Sequence, residues 1–202
     1  MNNWLTGIKD ACDLYMLHGS RSNKKVDCLH ATIKAWLVNS LPAGYTVETE
    51  QNVSSLNPAH RKKCDLVIFQ AGLPVAVFPV KFSMSNYHQN INNMWEGLTG
   101  ECAHLKWANP ALKICPINII FQHVPYLDTK GLITRFETIT PEEYSVNQQL
   151  VQQGLCTDVL NYIIQVQHSC AVGQPYNQTP TILGFHPATP FRDFAALKLN
   201  PA

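Results

Sequence analysis

Apolar residues recur at Trp4, Leu5, Ile8, Cys12, Tyr15 and Met16, a helical spacing that predicts a helix over residues 3–18, stopped at Gly19. After a polar turn, with Ser22 or Asn23 placed to cap, Val26, Leu29, His30, Ile33, Leu37 and Val38 share one side of a second helix ending near residues 41–44. Residues 45–53 then alternate as a half-buried strand, with Tyr45, Val47, Thr49 and Gln51 on one face and Thr46, Glu48 and Glu50 on the other. Residues 54–63 read as a polar loop with a basic end. Two nearly all-apolar strands follow, Lys63 to Phe69 and Leu73 to Lys81, joined by a tight turn at Ala71-Gly72; that composition suits strands covered on both faces. Pro79 removes a ladder donor and implies a bulge or an edge just before Lys81.

Downstream, a long helix fits residues 87–107, ended by Asn109-Pro110, and a buried strand fits residues 113–123. Residues 132–139 suit a further strand. Thr140-Pro141-Glu142-Glu143 has the form of an N-cap, an N1 proline and an acidic first turn. A final amphipathic helix is expected over residues 156–168, and the last thirty residues, rich in Pro, Gly, Thr and Asn, as loops or an ordered tail. This is the order of an α/β sandwich, a mixed sheet between helices.

The 202 residues suit a single domain, and 46% apolar with 14% charged residues is globular composition. A formal net charge of +1 leaves no global field, so a nucleic-acid partner would need a local basic patch. The seven cysteines are scattered, without a CxxC pair, and read as small buried hydrophobes in a reducing compartment. No apolar run approaches the ~18 residues that span a membrane, and no secretion signal is evident, so a cytoplasmic protein is expected. The absence of GxGxxG, Walker A and GxSxG patterns argues against a nucleotide cofactor and a serine hydrolase.

Asp65 opens one strand of the central hairpin and Lys81 closes the next, so the two are expected to come close at one end of the sheet. With the element order, this resembles the PD-(D/E)XK, restriction-endonuclease-like nuclease superfamily over residues 24–123. Cys64-Asp65 matches its Pro-Asp pair, and Pro79-Val80-Lys81 its acid-x-Lys triplet, with proline in place of the acid. The resemblance implies an αβββαβ core and a metal-dependent phosphodiesterase. It resembles most a branch in which the triplet's acid is displaced to the following helix. Glu96, fifteen residues after Lys81, is the preferred counterpart and Glu101 the other; the two point about 140° apart on a helix, so one of them faces the site.

The site implied by this likeness has Asp65 and Glu96 as carboxylate ligands of Mg2+ (or Mn2+), with the Val80 carbonyl beside the ion. Lys81 orients water or neutralises phosphate charge. An acid on the preceding helix often completes such sites; Asp27 matches, with Glu50 on the neighbouring strand as its rival. Each residue also has an ordinary role open to it, as a strand cap or a solvated surface group.

Double-stranded DNA is the expected partner. Arg61, Lys62 and Lys63 form a basic run near the same sheet edge, and Arg21, Lys24 and Lys25 add to it. The polar stretch with Asn86, Gln89, Asn90 and Asn93 suits bonding to phosphates or base edges. The eight histidines show no zinc-site spacing and read as surface or packing residues. The expected function is a type II-like restriction endonuclease acting as a homodimer, since cutting two strands needs two sites. The alternative is a degenerate member that binds DNA or protein without cleaving.

Overall fold

A computed structural model describes residues 2–19 and 22–192. It is mixed α/β. Helices α1 (Asn2–His18) and α2 (Lys24–Ser40) lead into strands β1 (Tyr45–Ser54), β2 (Arg61–Gln70), β3 (Leu73–Phe78) and β4 (Val80–Ser83). The long helix α3 (Tyr87–Ala108) crosses to β5 (Lys113–Ile114) and β6 (Ile117–Phe121). A hairpin, β7 (His123–Leu127) with β8 (Ile133–Thr138), precedes short helices α4 (Pro141–Tyr144) and α5 (Gln149–Gln152), and strands β9 (Leu160–Gln167) and β10 (Thr181–Phe185) complete the order.

Strands β1, β2 and β3 form an antiparallel meander, and β5 adds parallel to β3. A second ladder runs β10-β9-β6-β4, with β4 and β9 parallel to β6. Pro79 separates β3 from β4, and Pro116 separates β5 from β6. The register nevertheless carries across the gap: Val77 pairs with Ile114 and Val80 with Ile117. The Cys115 and Ile117 N–H groups donate to the Val77 and Pro79 carbonyls, at 3.0 and 2.8 Å. The two ladders therefore meet through one strand pair, interrupted where proline removes a donor.

Alternation along β2 sends Leu66 and Ile68 to the α1–α2 side and Val67 to the α3 side. Trp4, Ile8, Leu29, Ile33 and Leu37 cover the first face; Leu98, Cys102 and Leu105 cover the second. Trp4 packs edge-on to Trp36 and Tyr162 at centroid distances of 5.3 and 5.5 Å, an aromatic knot joining α1, α2 and β9.

The expected helix over residues 156–168 is instead β9, preceded by irregular chain. Leu160, Tyr162, Ile163, Ile164 and Val166 are buried, and the strand lies between β6 and β10. Leu160, Ile163 and Ile164 also fit a helical stripe, so periodicity does not separate the two, and the β-branched residues favour the strand. Within the expected tail, Thr181–Phe185 is a strand. The basic end of the expected 54–63 loop belongs to β2, which begins at Arg61. The capping box at Thr140 and Glu143 is present, with both bonds formed. No helix among the described residues is long and apolar enough to cross a membrane. Arg21 and residues 193–202 lie outside the described residues.

Candidate active site

Asp65 lies opposite Glu50. Thr49 pairs with Leu66 and Gln51 with Cys64, so the intervening residues face one another across β1 and β2. Glu50 has a left-handed φ of 58°, a conformation an L-residue adopts at a cost of about 1–2 kcal/mol. Non-glycine residues held there cluster at functional sites.

His30, on the sheet-facing side of α2, completes the group. One ligand atom each from His30, Glu50 and Asp65 lie within 4.8 Å of one another. His30 is 2% exposed, and its Nδ1 is 3.2 Å from Glu50 Oε1. Neither ring nitrogen makes a hydrogen bond among the described residues. The other Glu50 oxygen pairs with Lys63 Nζ at 2.8 Å, and the carboxylate holds that ammonium above its usual range. Asp65 Oδ2 accepts the Val80 N–H at 2.7 Å, tying β2 to the residue that restarts the chain after Pro79.

On the α3 side, Glu101 is nearly buried, its side chain 7% exposed. Its Oε2 lies 3.5 Å from Lys81 Nζ and 3.6 Å from Lys62 Nζ. A carboxylate removed from water in this way needs cations beside it. Cys64 lies between the two groups: burial pushes its thiol up to about 12, and the charges of Glu101 and Asp65 add to the rise. It stays protonated near neutrality.

Two groups result: Asp65, Glu50 and His30 stand together beside α2, and Lys81 pairs with Glu101 beside α3, so the expected approach of Lys81 to Asp65 is replaced by the bond from the neighbouring Val80 N–H to Asp65. Glu96, the preferred partner of Lys81, is exposed, and Glu101 takes that position. The helical phase decides between them. Glu101 shares the sheet-facing side of α3 with Leu98, Cys102 and Leu105. Asp27 is exposed at the start of α2, and Glu50 rather than Asp27 approaches Asp65.

The DNA-contact candidates divide. Arg61 and Lys63 are exposed, and Lys62 is partly so. Asn86 is turned inward: its Oδ1 accepts the Leu127 N–H at 2.7 Å and its Nδ2 donates to the Leu127 carbonyl, mimicking a strand partner for β7. Glu137 reaches the start of α3 instead, accepting the His88 N–H at 3.1 Å. Asn90 donates back to the Asn86 carbonyl at 2.8 Å and Gln89 accepts from Asn86, so three of the four amides serve the helix start. Asn93 is exposed and shares a surface groove with Asn90, Tyr15, Lys25 and Ser83.

His30 is the residue that sequence reasoning passed over. Its signal was a titratable side chain on the apolar stripe of α2, among Leu29, Ile33 and Leu37. What made that stripe unusual, Glu50 and Asp65 on two other elements, is invisible until the strands pair.

No protein-family model, curated protein or solved structure matches the chain.

Proposed function

We propose that this chain is a metal-dependent DNA endonuclease of the restriction-endonuclease-like fold. One observation carries the reading: Glu50 and Asp65 oppose each other across β1 and β2, while the strand after Asp65 continues, through Val80, to Lys81. The succession of β1 to β3, α3 and β5 supports the αβββαβ assignment.

The residues fit a divalent cation. Two carboxylates from adjoining strands supply hard oxygen donors, and the buried His30 beside them has both nitrogens without a hydrogen bond. When bound, such an ion supplies Lewis-acid activation of a phosphodiester and of the attacking water. Asp65 and Glu50 would hold it, with the Val80 carbonyl as the backbone donor this fold implies. Glu50 takes over the role of the acid that Pro79 replaces.

Lys81 carries the positive charge that neutralises a phosphate in the transition state. Glu101 directs that lysine, its Oε2 lying 3.5 Å from Nζ. Arg61 and Asn93 are exposed to meet a duplex, and Lys63 meets it once it leaves Glu50. Cleavage of both strands calls for a homodimer, and the setting is a cytoplasmic restriction activity.

The test is incubation of plasmid and phage DNA with Mg2+, Mn2+ or a chelator, beside Asp65→Ala and Lys81→Ala variants. Cleavage by the parent chain only, and only with metal, is the expected result. Equal nicking by the variants would overturn the proposal.

Pro79 at the acid's position favours a second reading, a DNA-binding member of the fold that has lost hydrolysis. It is adopted if the chain retards a duplex in a gel and cuts no substrate with either ion.

A further inference from the structure

We infer that His30 is a direct metal ligand that makes this centre select a first-row transition ion, Mn2+, over Mg2+. The inference rests on the metal-site reading above and deepens it. Three observations lead to it. His30 is 2% exposed, yet among the described residues neither ring nitrogen has a hydrogen bond. A histidine buried for packing alone would satisfy a ring N–H on a carbonyl, because leaving a buried donor unpaired costs about 1–3 kcal/mol. Its Nδ1 lies 3.2 Å from Glu50 Oε1, and ligand atoms of all three residues fall within 4.8 Å of each other, close enough to converge on one shared ion.

The backbone provides for this arrangement. Glu50 adopts its left-handed φ of 58° in mid-strand, next to β2. One of its oxygens is neutralised by Lys63 at 2.8 Å, and the other is the one against the imidazole. Asp65 has Oδ2 engaged by the Val80 N–H. The donor set is therefore two carboxylates and one imidazole. Mg2+ prefers oxygen donors and gives up its waters reluctantly, whereas Mn2+ and its heavier neighbours accept imidazole readily.

The experiment needs no DNA. Mn2+ is titrated into the metal-free chain and the loss of the free-ion EPR signal is followed, then Mg2+ is added as competitor. One Mn2+ per chain is expected, held at least about tenfold more tightly than Mg2+. Electron spin-echo modulation of the bound Mn2+ should carry the signature of a directly ligated nitrogen. This readout uses the parent chain alone and does not depend on any variant folding. His30→Gln should lower Mn2+ affinity and bring the Mn2+/Mg2+ ratio close to one, while Glu50→Gln should weaken both ions together. Absence of nitrogen modulation, or an unchanged ratio in a folded His30→Gln chain, would overturn the inference. A chain that binds Mn2+ selectively but cuts no DNA refutes only the nuclease proposal. One that cuts DNA and shows no preference refutes only this inference.

Discussion

The backbone N–H of Val80 donates to the carboxylate of Asp65 at 2.7 Å. Pro79 interrupts the strand, and an aspartate side chain supplies the acceptor for the first residue after the break. The same carboxylate faces Glu50 and His30, so one side chain serves both the sheet and the candidate centre.

These two duties are separable. Asp65→Ala should lose about 1–3 kcal/mol of stability, because the Val80 N–H forfeits its partner. Asp65→Asn keeps an acceptor oxygen and removes the charge. It should unfold close to the parent's denaturant midpoint while losing metal binding by calorimetry. Equal destabilisation in both variants would show that charge, not the bond to Val80, holds this corner.

Glu101 and Glu96 should behave oppositely in a cleavage assay. Glu101 touches Lys81 and Lys62, whereas Glu96 is exposed. Loss of a group that orients a catalytic one typically costs about 10–100-fold. Glu101→Gln is expected to slow plasmid cleavage by that factor, and Glu96→Gln to leave it unchanged.

Helices α1 and α2 approach closely at Gly7, where a methyl group would fall onto the Thr32 side chain. The hydroxyl of Thr32 is itself engaged with the Cys28 carbonyl at 3.2 Å. Gly7→Ala should therefore destabilise by about 1–3 kcal/mol, more than the ~1 kcal/mol of helix propensity it gains. Thermal unfolding of Gly7→Ala, alone and combined with Thr32→Ala, which removes the two nearest atoms, would measure the clash and its relief.

Acid should weaken the fold through His168. Burial holds its imidazole below the ordinary 6.5, against the opposing influence of its bond to the His123 carbonyl at 2.7 Å. In the unfolded chain the ring protonates near 6.5, while in the folded chain it resists. Its contribution is thus complete above that pH and is lost as pH falls through the lower folded value. Stability measured across this window should fall on acidification, and less steeply in His168→Gln.

Much of this architecture was legible in the sequence. The spacing of Trp4, Ile8 and Cys12, the alternation from Tyr45 and the apolar hairpin around Ala71-Gly72 each specify an element locally. Over residues 156–168 the adjacent pair Ile163-Ile164 breaks the alternation of Leu160, Tyr162 and Val166, and Leu160, Ile163 and Ile164 fit a helical stripe equally well. At the site, Asp65 and Lys81 stand out because strand ends carry chemistry in such sheets. Glu50 is legible only as the rival of Asp27, and His30 not at all, since their significance lies in the pairing of β1 with β2 and the packing of α2 above them. Glu101 over Glu96 was a question of helical phase, decided by which face of α3 meets the sheet.

Neighbouring lysines on β2 point to opposite sides, Lys63 to Glu50 and Lys62 to Glu101. Each of these two acids therefore has a resident counter-charge. An arriving cation would displace Lys63 from Glu50 and release that ammonium towards solvent. On the proposed reading, metal loading would free that lysine for a phosphate and set the order of assembly as ion first, duplex second.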